Sequence, residues 1–150
     1  TFMRRVKEEL KLERLIEVGT RAVCREELDY AEEAGIEMVT ADRIRLEATK
    51  TVSCLKKKLS QCENVYLTID MDVLDPAHAP AVQNPEPGGL STHELLNILR
   101  ETCDSRIVGF DVVEVAPNFD NGVSAIHAAK IILETLCFLE KSRLDSSSTT

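Results

Sequence analysis

No apolar run in these 150 residues approaches the length needed to span a bilayer, and the opening residues are not expected to act as a signal peptide. Basic excess is missing as well. The formal net charge is −8, which argues against nucleic acid and anionic membrane as partners and is compatible with a cationic substrate or a metal ion. The five cysteines (Cys24, Cys54, Cys62, Cys103 and Cys137) include no C-x-x-C pair and are odd in number. Zinc-ribbon and disulfide-framework readings therefore fail on spacing, and a reducing cytoplasm is the natural compartment. Cys103 and Cys137 fall in apolar helical stripes and read as core residues. There is no internal repeat, no domain boundary and no pair of strands joined by a tight hairpin.

What remains is an ordinary globular composition, 43% hydrophobic and 29% charged, in a chain long enough to bury one core. Apolar spacing predicts a helix over the first dozen residues (Phe2, Val6, Leu10) and a strand over Arg14–Ala22. A short helix from Arg25 ends at Gly35, which suits a left-handed terminus. Ile36–Thr40 reads as a strand. A single longer helix comes next, capped by Thr40 or Asp42, with Ala48, Val52, Leu55 and Leu59 inward and Lys56–Lys58 solvated.

Further on, Ser91 and Glu94 form a capping-box pair, and Leu95, Leu96, Leu99, Thr102 and Cys103 line one side of the helix they open. Ile107–Val115 reads as a buried strand and Ser124–Lys141 as a broadly apolar helix. Residues 145–150, D-S-S-S-T-T, bury nothing and are expected to be a disordered tail. Strands alternating with helices predict an α/β fold, a mostly parallel sheet with helices on both faces. The strands at Val65 and Ile107 should be parallel neighbours, joined by a right-handed crossover through the helix Ser91–Cys103.

The stretch that organises the chain is Asn64–Gly89, N-V-Y-L-T-I-D-M-D-V-L-D-P-A-H-A-P-A-V-Q-N-P-E-P-G-G. Val65, Leu67 and Ile69 alternate with Tyr66 and Thr68 as in a strand. Asp70, Asp72 and Asp75 come within the next six residues, then a loop with four prolines. Alternation along a strand puts Asp70 and Asp72 on one face, roughly 6–7 Å apart. Such a pair is unfavourable unless a cation or a shared proton offsets it, so a divalent metal site is expected. Asp75, before Pro76, reads as a turn carboxylate bonding nearby backbone N–H groups.

These residues resemble the S-x-D-x-D-x-x-D-P signature of the ureohydrolases, the arginase and agmatinase family. The likeness is greatest to agmatinases of the archaeal type, with N-P-E-P where many members carry T-P-E. V-G-F-D-V-V-E-V-A-P at Val108–Pro117 resembles the last active-site strand of that family, and T-F-M-R-R at Thr1–Arg5 resembles the segment just after its active-site His-Gly. The resemblance implies a three-layer α/β/α fold with a homo-oligomeric state. It also implies two Mn2+ ions sharing a hydroxide that attacks the guanidinium carbon of a small substrate, agmatine above arginine or guanidinobutyrate. Asp70 would bridge the metals, Asp72 would bind one of them, and Glu114 would hold the guanidinium by paired hydrogen bonds. No catalytic acid or base is assigned. Asp111 is either a partner to the ligands or a hydrogen-bonded strand-end carboxylate.

The family's upstream G-G-D-H and D-A-H-x-D motifs are absent, and His78, His93 and His127 lack ligand spacing to the aspartates. Residues 1–144 are therefore expected to be the C-terminal portion of a ureohydrolase domain, nearly inactive alone. Two other readings compete. D-M-D-V-L superficially resembles the phosphoaspartyl motif of haloacid-dehalogenase-type phosphatases, but Leu74 stands where Thr or Val is needed. A truncated module that only associates with other chains through an exposed sheet edge is the second.

Overall fold

The computed structural model describes residues 2–147, along which helices and strands alternate. Helix α1 covers Phe2–Leu10, strand β1 Ile16–Thr20, helix α2 Arg25–Glu33 and strand β2 Glu37–Thr40. Helices α3 (Ala41–Leu46) and α4 (Ala48–Leu59) lead to strand β3 (Val65–Asp70), which runs straight into a 3-10 turn at Met71–Val73. Helix α5 (Thr92–Thr102), strand β4 (Ile107–Val113), a second 3-10 turn at Pro117–Phe119 and helix α6 (Val123–Ser147) complete the order. The α/β class and the alternation of helices with strands are those the sequence predicts.

Local chemistry accounts for the helix ends. The Ser91 hydroxyl accepts from the Glu94 N–H at 3.1 Å, while the Glu94 carboxylate accepts from the Ser91 N–H at 2.7 Å. The Ser91 and Glu94 N–H groups, two of the free donors at the head of α5, are thereby satisfied. Gly35, with φ +64°, turns the chain out of α2. Thr40 caps α3 by accepting from the Arg43 N–H at 3.2 Å. The single helix expected after Thr40 is in fact two, because Glu47 leaves the helical region at φ −136°. The break swings α4 so that Ala48 faces solvent, and Thr51 rather than Ala48 joins Leu55 inside.

Both strand pairs are parallel: β1 with β2, and β3 with β4. The second pairing is the one expected from sequence. Among the described residues the ladders form two separate two-stranded sheets rather than one continuous sheet. A single hydrophobic cluster runs through both, taking in Val39, Ile44 and Leu55 on one side and Ile69, Leu99 and Ile131 on the other. Gly19 in β1 sits against the 3-10 turn after β3, where an added Cβ would fall 2.3 Å from Val73 Cγ2. Only glycine permits that approach.

The opposite face of the β3–β4 pair is bare. Tyr66 and Thr68 are exposed there, so the strand is buried on one side only. Cys103 is buried as expected, and burial pushes its thiol up to about 11. Cys137 is exposed instead: α6 buries Ile131, Thr135 and Leu139, leaving the adjoining stripe outside. That helix also runs through Ser147, so its last turn includes Asp145–Ser147 of the expected tail; the remainder lies outside the described residues. Among the described residues no helix is long and apolar enough to cross a membrane.

Candidate active site

Strand β3 ends at Asp70, and the chain does not continue as strand beyond it. Asp70 caps the 3-10 turn, its Oδ1 accepting from the Asp72 N–H at 2.8 Å. Alternation therefore does not bring Asp70 and Asp72 together, as the sequence pattern suggests; a tight turn does. Asp72 points into the proline loop, where its Oδ2 accepts from the Asn84 side-chain amide at 3.1 Å and its Oδ1 from the Asn84 N–H at 3.4 Å.

Glu114 stands just past the last residue of β4 and arrives by a different device. In the β3–β4 register Thr68 faces Asp111 and Asp70 faces Val113, so strict alternation would send residue 114 to the core side. Glu114 instead takes φ +64°, one of two non-glycine residues in the left-handed region among those described. Such a conformation is costly for a side chain with a Cβ, and it breaks the alternation. The carboxylate then lies close enough to Asp70 to act on its ionisation.

Asp70 is pushed above its ordinary value, first by the burial of its carboxyl among surrounding atoms. The charges of Asp72 and Glu114 act in the same direction; the Asp72 N–H and the Arg21 guanidinium oppose them. The residue as a whole is open to solvent, so crowding of the carboxyl rather than full enclosure explains the direction. The charges of Asp72 and Glu114 thus bear on Asp70 at one edge, and an added cation would relieve the repulsion.

The remaining acids divide cleanly. Asp75 accepts from the N–H groups of Ala77 at 2.9 Å and Gly88 at 2.8 Å, which hold it below the usual carboxylate range and pin both ends of the loop. This is the turn role the sequence suggests. Asp111 accepts from the hydroxyls of Tyr66 at 2.9 Å and Thr68 at 2.6 Å across the ladder. His93 is exposed; His127 bonds Thr92 Oγ1 at 3.0 Å, and its ring lies 6.3 Å from that of His78. Among the described residues none of the three bonds Asp70, Asp72 or Glu114.

Sequence reasoning missed the residues that frame the loop. A parallel bridge joins Leu74 to Leu90, with Asp75 N–H donating to Leu90 O and Leu90 N–H to Val73 O, each at 2.9 Å. Ala81 is gripped from the other side, its N–H donating to Ser124 Oγ and its carbonyl accepting from Ala116 N–H. Arg21, just past β1, and Arg45 on α3 reach the loop and donate to its carbonyls, Arg45 also pairing with Asp42 at 3.0 Å. An arginine beside a strand end carries no sequence signal for such a contact. Asn84 was visible as a departure from the T-P-E pattern, though its hold on Asp72 was not.

The sequence model of the Arginase family matches residues 1–137. Proclavaminate amidinohydrolase of Streptomyces clavuligerus is 43% identical over 111 residues, 73% of this chain and 35% of that protein. An agmatinase of Chromobacterium violaceum is 43% identical over 95 residues, 63% of this chain and 29% of that protein. The crystal structure of agmatine ureohydrolase of Thermoplasma volcanium superposes with a TM-score of 0.83 at 29% identity, covering 95% of this chain and 48% of that one. The chain therefore spans about a third of the length of these two curated relatives and about half of the solved structure.

Proposed function

The chain belongs to the arginase family, and on that premise we propose that residues 1–144 are the C-terminal portion of a ureohydrolase acting on a small guanidinium substrate. Agmatine, cleaved to putrescine and urea, is the substrate we propose first. The observation that carries the reading is Glu114: its backbone is held in the left-handed region at φ +64°, and its charge acts on Asp70. Strain of that kind persists only where the surrounding structure over-determines it, and it clusters at functional sites. A planar cation with paired N–H donors suits such an acceptor.

Family likeness implies a pair of manganese ions, and the donor set of this chain does not complete their sites. Among the described residues no three His, Cys, Asp or Glu side chains converge to hold a metal ion. Manganese is satisfied by about five or six oxygen and imidazole ligands, and Asp70 and Asp72 supply two carboxylates. We assign those two as this chain's share of the metal centre and derive no step through the ions. Binding, orientation and charge are what these residues contribute: Glu114 receives the guanidinium, and Asp75 and Asn84 fix the wall opposite. The five unpaired thiols support the cytoplasm as the compartment. A homo-oligomer is proposed on the family likeness alone.

The coding sequence upstream of the Thr1 codon tests the first claim: it should encode D-A-H-x-D followed by His-Gly. In the longer protein, Glu114→Gln should keep its manganese content while turnover of agmatine falls by about two orders of magnitude. Asp70→Asn should lose metal and turnover together. Loss of manganese from Glu114→Gln would move Glu114 into the metal site instead.

A further inference from the structure

Arg21 stands at the carboxyl end of β1 and carries a full positive charge among acids, yet the hydrogen bonds of its guanidinium go to backbone. Its Nη2 donates to Asp72 O at 2.7 Å, to Glu86 O at 2.7 Å and more weakly to Leu74 O at 3.4 Å, while Nε donates to Glu86 O at 3.0 Å. One rigid plane thus ties the Asp72 turn to the Glu86 arm of the proline loop. Two residues before Glu86, Asn84 makes the second link between the same segments, to the Asp72 carboxylate itself. We propose that Arg21 is a positioning residue: its fork fixes the separation of the two segments and so holds the Asp72 carboxylate against Asn84, in one orientation. This deepens the assignment of Asp72 as a site carboxylate and rests on it.

The geometry suits an arginine, whose Nε and Nη2 lie in one plane and meet Glu86 O together while Nη2 also reaches Asp72 O. A lysine ammonium is a point donor on a flexible stem and offers no such plane to fix these directions. Arg45 makes the telling contrast. It bonds the carbonyls of Gly88 and Gly89, at the far end of the loop, and makes no contact with Asp72. Both arginines fasten the loop, and only Arg21 fastens it at the carboxylate.

The experiment is nuclear magnetic resonance on the chain as it stands, comparing wild type with Arg21→Lys, Arg21→Gln and Arg45→Gln, each with its urea midpoint. Both Arg21 variants should move the Asn84 side-chain amide signals to the free-amide position and shift the Asp72 carboxyl carbon. Core amides such as Ile69 and Leu99 should stay in place, and Arg45→Gln should leave the Asn84 and Asp72 signals unmoved. A purely structural staple would lower the midpoint without that selective signature. The proposal is overturned if Arg21→Gln keeps the Asn84 and Asp72 signals, if Arg21→Lys restores them, or if Arg45→Gln abolishes them equally. Should Arg21→Gln fail to fold, Arg21→Lys, with charge and length retained, decides by the same signals. Manganese content of Asp72→Asn in the longer protein tests the metal assignment separately. Content equal to wild type would refute that assignment while the Arg21 result stands on the amide signals alone.

Discussion

The least regular segment of this protein is its best-buried one, and its longest helix is among its most exposed. Between Met71 and Leu90, Met71, Leu74, Ala79, Ala81 and Leu90 are fully buried, although only a 3-10 turn and one isolated bridge order the backbone. Helix α6 is 25 residues of unbroken helix, yet Ile126, Leu133 and Leu136 are at least half exposed. A buried loop must satisfy its own backbone polar groups, and here Asp75, Ser124, Arg21 and Arg45 meet that need through their side chains. Regularity and burial are therefore separate properties. The loop serves as core and as wall of the carboxylate site together, while α6 contributes one buried stripe.

The largest effect expected from this contrast lies at Gly89, where an added Cβ would come within 2.4 Å of Asp75 N and of the Leu74 carbonyl carbon. Neither backbone atom can yield without opening the Leu74–Leu90 bridge. Gly89→Ala should cost more than about 4 kcal/mol by urea denaturation, the range reserved for a broken arrangement. A cost near about 1 kcal/mol would mean the loop adjusts freely and is not core. Next comes Glu114. A β-branched residue is the least tolerant of φ +64°, so Glu114→Val should lose about 2 kcal/mol. Glu114→Gly should be neutral or more stable by up to about 1 kcal/mol. Equal loss in both would show that the Glu114 side chain, rather than its backbone, matters to folding.

A smaller effect comes from acid. Amide hydrogen bonds from Ala77 and Gly88 hold Asp75 below its ordinary value, so the folded chain keeps that charge to lower pH than the unfolded one. The stabilisation is present at neutral pH and is lost as pH falls through the folded value. Thermal midpoints measured across the acid range should fall less steeply for Asp75→Asn than for wild type. Smallest of all, Leu133→Ser on the exposed side of α6 should shift stability by no more than about 0.5 kcal/mol. A larger loss, growing with protein concentration, would reveal that another copy covers this face.

Much of the frame was legible because it is written in local patterns. The Ser91–Glu94 capping box, Gly35 and the alternating Val65–Ile69 run each specify their element through neighbours in sequence. Asp70, Asp72 and Glu114 could be singled out by their place at strand ends. How they come together could not, since a 3-10 turn and a left-handed residue bring them there and simple alternation does not. The break at Glu47 escaped notice because Ala48, Val52, Leu55 and Leu59 fit a helical stripe whether or not the axis bends. Arg21 and Arg45 escaped for a different reason: their partners in the loop are carbonyls, which every residue has, so no pattern of side chains announces the link.

The spacing of the loop's anchors along the chain also orders its folding in time. Asp75 and Gly88 are 13 residues apart, Arg45 and Gly88 are 43 apart, and Arg21 and Glu86 are 65 apart. Closing the short circuit costs the least chain entropy, and the longer ones must await the approach of α3 and β1. The proline loop should thus curl on itself early, with Asp75 at its hinge, and the arginine clamps should close late. In stopped-flow refolding, Asp75→Asn should slow the folding limb, whereas Arg21→Gln should act chiefly by speeding the unfolding limb. The geometry of the carboxylate edge would then be the last part of the molecule to set, and the first to be lost when it loosens.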